Sequence, residues 1–386
     1  MPARDLDLPD PDAPASRGGG LGPVGVILVC AAALSVLGLM AVYSATAFRS
    51  SSFFYKQIAG LLLATGVGFV VSRLDLEYCR RHVWVIAVGV LALLVLVAIP
   101  GLGVSVNGSR RWLGLGPIRF QVSELAKVGL VFVLAHYLAI NQSRMRELKA
   151  GFGVPLVIIG GFAGLNMLQP DFGTTALIGA VGLVLLFLAG ARWLYILVSV
   201  AGGAVFFAVA ILLNKNRLDR FLGFLDVEGN KQSETYQLYQ AILAFASGGV
   251  GGVGLGQGRQ QTHYLPEAHT DFIFAIVGEE LGLIATLGAV GLFLVIFVCG
   301  LLHLRRAPSQ FQYLLVAGCL LFIALQAIIN LGVVTGRLPT KGMSLPFVSA
   351  GMSNLVLMGI LIGVLVNTRR AWSRKETLPG TRDFLG

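Results

Sequence analysis

Residues 271–300 read DFIFAIVGEELGLIATLGAVGLFLVIFVCG, an apolar run interrupted by Asp271, Glu279 and Glu280. At a rise of 1.5 Å per residue, a helix needs about 20 such residues to cross the hydrocarbon core of a bilayer. The same ruler laid along the rest of the chain finds further runs near 24–45, 54–72, 82–99, 121–140, 151–168, 172–190, 192–213, 311–334 and 346–367. Composition agrees. Of 386 residues, 56% are hydrophobic and 12% charged, against roughly 45–50% and about 25% in ordinary soluble domains. A single core of this size cannot hide that much apolar surface from water. The sequence therefore predicts an all-α polytopic integral membrane protein of about ten transmembrane helices, with a long extracytoplasmic loop between spans 7 and 8. A cytosolic enzyme, a secreted disulfide scaffold and a disordered chain are excluded. The net charge of +10 does not argue for nucleic acid, because on a membrane protein positive charge first reports topology.

Both tails are assigned to the cytoplasm. That choice puts Arg73, Arg80, Arg81, Arg144, Arg146, Lys149, Arg192, Arg305, Arg306, Arg369, Arg370, Arg374 and Lys375 in short inward connections close to helix ends, where the charge rule is read. An odd number of spans would put the last cluster outside. Residues 1–22, rich in Asp, Pro and Gly, read as a disordered cytoplasmic tail. Residues 23–370 read as one membrane domain, with 214–270 as its long outer loop, and 371–386 as a cytoplasmic C-terminal tail. The run from Val24 to Ala45 is too long for a signal-peptide core and is read as a permanent first span. Cys30, Cys299 and Cys319 lie in apolar runs and Cys79 in a basic connection, so no disulfide framework is readable. The five histidines show no metal-ligand spacing.

The outward basic residues need a reason, since short outer loops are normally depleted in them. Arg110, Arg111 and Arg119 fall in one outer segment, Arg217, Arg220 and Arg259 in the long loop, and Arg337 and Lys341 before the last span. Guanidinium clusters at a membrane surface suit a phosphorylated or diphosphate-bearing ligand. Contact with anionic membrane lipids is the equal alternative from charge alone.

The long loop carries an amphipathic stretch over 233–245, with Tyr236, Tyr239, Ile242 and Leu243 at helical spacing, suited to the interface plane. Its glycine run, 248–258, contains a formal GxGxxG but lacks the βαβ context of a dinucleotide site. Close backbone approach or a hinge is the better reading. Next, YLPEAHTDFIFA (264–275) runs a polar loop into an apolar helix, with Asp271 expected in the first helical turn. There the helix dipole favours the ionised carboxylate while partial burial opposes it. An ionised, poorly hydrated acid suits a general base for a sugar hydroxyl. On helix chemistry alone, an acid that only complements the dipole is the simpler reading. Glu279 and Glu280 lie about two turns deeper, and intramembrane acids must find partners. Glu124 and Lys127 share one helix face. Lys127, as the lysine within a span, is the expected counter-ion of Asp271 or Glu280; a buried structural pair is the equal alternative. Asp171 is expected to cap the sixth span.

These segments resemble the shape, elongation, division and sporulation family, of FtsW/RodA type. The resemblance rests on VYSA (42–45), GSRRW (108–112), FQVSELAK (120–127), QPDFGT (169–174), YLPEAHTDFIFA (264–275) followed by EELG (279–282), and Arg337 through Ser353. These occur in the family's order over about 24–370, and the LPTKG form of the last loop is closer to the division branch. Val122, Ala241 and Met352 depart from the usual residues without removing a charge.

The resemblance implies a peptidoglycan glycosyltransferase that polymerises lipid II, an undecaprenyl diphosphate-linked disaccharide pentapeptide, at the outer face of the bacterial cytoplasmic membrane. It also implies a single-pass class B penicillin-binding transpeptidase and other division proteins as partners at the septum. Asp271 becomes the expected catalytic carboxylate. Arg110, Arg111, Glu124, Lys127, Glu267, His269, Arg337, Lys341 and Ser349 become expected substrate-binding residues, with Asp171, Glu279, Glu280 and Gly351 in support. No cofactor is evident, and a divalent cation assisting the leaving group is expected to bridge substrate phosphates, for want of a ligand set in the chain. Two other classes stand beside this reading. A lipid II flippase or other transporter would use Glu124, Lys127, Glu279 and Glu280 as a relay, and a non-catalytic division scaffold would need no site at all.

Overall fold

The computed structural model describes residues 22–46, 52–106, 109–115, 118–230, 235–260, 269–340 and 342–376. The chain runs α1 (Pro23–Thr46), α2 (Ser52–Val71), the short α3 (Leu76–Arg81), α4 (Val83–Ala98), β1 (Gly103–Val106), β2 (Ser109–Leu115), β3 (Ile118–Gln121), α5 (Val122–Ile140), α6 (Val154–Leu168), α7 (Phe172–Leu188) and α8 (Trp193–Leu212). It continues through α9 (Lys215–Leu225), α10 (Tyr236–Gly248), α11 (Ile273–Leu304), α12 (Gln310–Val334) and α13 (Met352–Glu376). Eight helices are long and apolar enough to cross a membrane, α6 being lengthened by a π-helical turn at Lys149–Gly153. The apolar α4 and α7 are shorter, at 16 and 17 residues. Together they account for every run read from the sequence, and the protein is a multi-pass, all-α membrane protein.

Burial sorts these helices. α5, α12 and the first part of α13 form the interior, with Leu130, Leu134, Leu315, Phe322, Leu357 and Leu361 sealed from the surface. At the other extreme α8 buries no residue fully: side chains such as Ile196, Phe207 and Ile211 are half-buried on one side and the rest of its apolar surface is exposed, as lipid contact allows. Where α2 crosses α13, backbone approaches backbone through Gly68, Gly359 and Gly363. Small residues permit this approach, and packing attraction rather than the hydrophobic effect then joins helices already dissolved in lipid.

Four local features differ from the sequence reading. The segment after α4, read from the sequence as an outer loop, is a three-stranded antiparallel sheet in the order β1-β2-β3, pairing Trp112 with Val104 and Gln121. The last span starts at Met352 instead of near 346; Leu345, Phe347, Val348 and Ser349 enter the interior before it as buried non-helical chain. α10 does form, but it turns Leu238, Ala241, Ala244 and Gly248 inward and leaves Ile242 and Leu243 exposed. Its buried face is therefore small and packs closely on α11, with Gly248 against Gly278. Finally, Asp271 lies in the turn before α11, whose cap is Phe272, and not in the first helical turn.

α11 is broken at Gly282, which has φ +73°. The break is satisfied from outside. Val253 and Gly254 donate backbone N–H groups to the carbonyls of Glu279 and Glu280, while Leu283 N–H donates to Gly249 O. The glycine run thus acts by close backbone approach, replacing the helix hydrogen bonds that the kink removes.

Candidate active site

A cavity of about 280 Å³ opens at the end of the bundle where α5 and α13 begin. Its lining includes Arg111, Trp112, Gln121, Glu124, Lys127, Asp171, Thr174, Thr270, Asp271, Gln326, Gly342, Gly351, Ser353 and Asn354. Asp271 is half-buried there. Its position is fixed through its main chain: Asn330 Nδ2 donates to Asp271 O at 2.9 Å and to Met343 O at 2.6 Å, holding the turn before α11 to the loop before α13. On that loop a Cβ at Gly342 would lie 2.6 Å from Asp271 Oδ2, so a larger residue there forces the carboxylate or the loop to shift.

Beside Asp271 the cavity floor is a buried polar network. Lys127 Nζ donates to both carboxylate oxygens of Glu124 at 2.9 Å and to Gln326 Oε1 at 3.1 Å. The side-chain amide of Gln326 donates in turn to Asn354 Oδ1 at 2.7 Å and Ser344 O at 2.9 Å. Lys127 therefore takes Glu124 as its carboxylate, and not Asp271 or Glu280 as the sequence suggested; the i,i+3 spacing on α5 brings the two heads together without any movement of another helix. The network ties α5, α12, α13 and the last loop into one wall. A sealed ammonium is tolerated because three acceptor oxygens surround it.

Asp171 closes the opposite wall. As the N-cap of α7 it accepts from Thr174 N at 3.2 Å and Thr174 Oγ1 at 2.9 Å, and Arg111 Nη1 approaches it at 3.4 Å. β2 delivers Arg111 to this place. Arg111 is the extra residue where the β1–β2 register shifts between Val104 and Ser105, and this bulge aims it into the cavity while its neighbour Arg110 is exposed.

A second cavity, of about 290 Å³, shares Arg111, Asp171 and Gly342 with the first. Its lining combines Arg217 and Arg220 from α9 with Phe172, Phe207, Ile211 and Phe221. The Arg217 guanidinium lies 3.5 Å from the centre of the Phe172 ring and donates to Ala210 O at 3.0 Å. Cations and apolar side chains thus meet at the end of α8, a lining that suits an amphiphile with a charged head.

The residues expected from the sequence divide accordingly. Arg111, Glu124, Lys127, Asp171, Asp271 and Gly351 come together at the first cavity. Arg110 and Arg337 are exposed away from its lining. His269 packs its ring on Phe53 at 4.6 Å, and its carbonyl accepts from Ala350 N. Ser349 is buried, its hydroxyl accepting from Leu345 N at 2.7 Å. Glu280 accepts from Ser44 Oγ at 2.6 Å and Gly256 N at 2.9 Å, and Glu279 from Arg259 N at 2.8 Å, so both acids anchor the glycine segment. Glu267 and Lys341 lie outside the described residues. Gln326, Asn330 and Asn354 were missed; the signal that exposes them is an amide at helical spacing inside an otherwise apolar span. Among the described residues, no group of three or more His, Cys, Asp or Glu side chains is placed to hold a metal ion.

The chain is similar to known proteins over most of its length. The model of the FtsW, RodA and SpoVE family, described as "Cell cycle protein", matches residues 25–374. A probable peptidoglycan glycosyltransferase FtsW of Coxiella burnetii is 40% identical over 354 residues, covering 88% of this chain and 94% of that protein. The corresponding protein of Nitrosococcus halophilus is 41% identical over 352 residues, covering 88% and 90%. Among solved structures, one chain of a peptidoglycan synthase complex that coordinates polymerization and crosslinking aligns with a TM-score of 0.77 at 26% identity, over 90% of this chain and 97% of that one. The rod shape determining protein RodA of Thermus thermophilus aligns with a TM-score of 0.68 at 25% identity, over 89% and 95%.

Proposed function

The chain belongs to the FtsW/RodA/SpoVE family and is a peptidoglycan glycosyltransferase, and from that premise we propose that it polymerises lipid II at the outer membrane surface during cell division, with Asp271 as general base. Lipid II presents a disaccharide-peptide on a diphosphate whose polyprenyl tail stays in the bilayer. Two adjoining cavities, one holding a carboxylate and the other guanidinium groups beside apolar rings, match an acceptor sugar and a lipid-linked donor. The Asp271 carboxylate takes the proton of the acceptor GlcNAc 4-hydroxyl as its oxygen attacks C1 of the donor MurNAc with inversion. The C1–O bond breaks with its electron pair on the diphosphate, which needs no proton to depart.

Arg111, with Arg217 and Arg220, is the cation set that stabilises this leaving group. Lys341, adjacent in sequence to Gly342, joins them in this reading. Arg110 and Arg337, exposed on the same outer face, are assigned to capture of substrate or of lipid headgroups. Any divalent cation that assists is carried by the substrate phosphates. The relative in the synthase complex suggests a single-pass class B transpeptidase as partner. A transport relay is disfavoured, since Glu279 and Glu280 accept backbone N–H groups of the glycine segment and do not line the Asp271 cavity.

The single observation that carries the proposal is the half-buried Asp271 lining a cavity that shares Arg111 with a second, arginine-bearing one. Purified Asp271→Asn protein given lipid II should lose strand synthesis by at least about 10²-fold, the lower range for removal of a positioned base. Undiminished polymerisation overturns the base assignment.

A further inference from the structure

At the end of the bundle away from Asp271, two cavities meet at Ser72. The first, of about 400 Å³, is a groove between α1, α2 and α13, lined by apolar residues such as Leu28, Leu61, Phe69 and Ile362. The second, of about 620 Å³, is polar and lies beyond the end of α2, against Asn367, Arg370 and Ala371 of α13; its charged lining is Arg73, Asp75, Glu77 and Arg370. The charges there are unequally engaged. Asp75 caps α3 by accepting from Glu77 N at 2.9 Å, and Glu77 is paired with Arg80 at 2.7 Å. Arg73 and Arg370 make no ion pair among the described residues. Arg73 instead lies 4.8 Å from the Phe69 ring, with its stem at the mouth of the groove.

An apolar trough running into a pocket with two guanidinium groups that make no ion pair among the described residues has the polarity order of a membrane lipid, chain first and phosphate second. We propose that this is a binding site for an anionic phospholipid, with an acyl chain along the α1–α2–α13 groove and the headgroup phosphate between Arg73 and Arg370. α2 and α13, which the lipid touches, also cross at Gly68, Gly359 and Gly363, so the bound lipid braces a contact that has no hydrophobic driving force of its own in the bilayer. Assignment to the cytoplasmic leaflet rests on the proposed orientation of the chain; the site itself does not.

The test uses the full-length protein in detergent. Native mass spectrometry counts bound lipid, and thermal unfolding follows titration with phosphatidylglycerol or phosphatidylcholine of identical chains. Two arginines should favour the anionic lipid by roughly 30-fold. Arg73→Gln/Arg370→Gln should abolish that preference, and Arg73→Lys/Arg370→Lys should keep most of it. Thr65→Trp, at an exposed position on the groove wall, should weaken both lipids alike. Equal binding of the two lipids by the unaltered protein overturns the proposal, as does a preference that survives the double glutamine variant. Displacement of phosphatidylglycerol by a polyprenyl phosphate, or by a peptide of residues 1–21, at equal concentration overturns the choice of occupant. Because the readout is binding in detergent, a failure of the glycosyltransferase reading or of the orientation leaves the result interpretable.

Discussion

Gly342 is the residue whose smallest change reports most directly on the site. Its replacement by Ala puts a methyl group 2.6 Å from Asp271 Oδ2, and either the loop or the carboxylate must move. Misplacing a reacting group by about 1 Å costs on the order of 10²-fold. Gly342→Ala should therefore lose most lipid II polymerisation while its thermal unfolding stays near that of the parent; full activity would detach the loop from the chemistry. Lys127 calls for a different measurement. Lys127→Met leaves the Glu124 carboxylate buried without its cation, which costs about 3–5 kcal/mol, whereas Glu124→Gln/Lys127→Met removes both charges and should recover much of that loss. Denaturant unfolding of the two variants decides it, and equal stability of both would show that the pair holds nothing. Asp271 drew notice in the sequence as an acid at the edge of a long apolar run, but helix chemistry alone favoured a residue that only complements the dipole, and its expected catalytic role came from the family resemblance. Gln326 and Asn330 were not legible, since a single uncharged amide barely changes the hydropathy of a span, yet their hydrogen bonds set where Asp271 and Lys127 sit.

The helices follow from the thickness of the bilayer, so their number and order could be read with a length ruler alone. What that ruler cannot see is short or small. β1 and β3 have four residues each, too few to show alternation, although their pairing with β2 decides that Arg111 and not Arg110 enters the cavity. α10 hid its buried face for a related reason. Ala and Gly count for little in hydropathy, but they let α10 approach Gly278 of α11. The kink in α11 is the element most exposed to test. At φ +73° an added methyl group at Gly282 is strained and also meets the backbone at Val250 and Gly252. An ordinary helical Gly→Ala exchange stabilises by roughly 0.5–1 kcal/mol, whereas Gly282→Ala should destabilise by more than that amount. It should also free the glycine segment, speeding amide exchange at Val253 and Gly254; unchanged exchange there would mean the segment is held by other contacts.

Across the whole molecule, the Asp271 cavity and the Arg73–Arg370 pocket lie at opposite ends of α13, with Ser353 at one and Arg370 at the other. Cys79 in α3 stands beside the second pocket, whereas Cys30, Cys299 and Cys319 lie within α1, α11 and α12. Cys79 is thus a native reporter of orientation. Burial, and then the neighbouring Asp75 carboxylate, push its thiol above the ordinary range. The reactive species is the thiolate, so a raised value means slow labelling at neutral pH and a rate that keeps climbing past the point where a free cysteine has levelled off. If the Asp271 end faces outward, a membrane-impermeant maleimide should leave Cys79 unlabelled in intact cells and react after permeabilisation. A cysteine placed at the exposed Arg337, by Arg337→Cys, should label in both conditions. The reverse pattern would put the carboxylate on the cytoplasmic side, where the sugar of a translocated lipid-linked substrate cannot reach it.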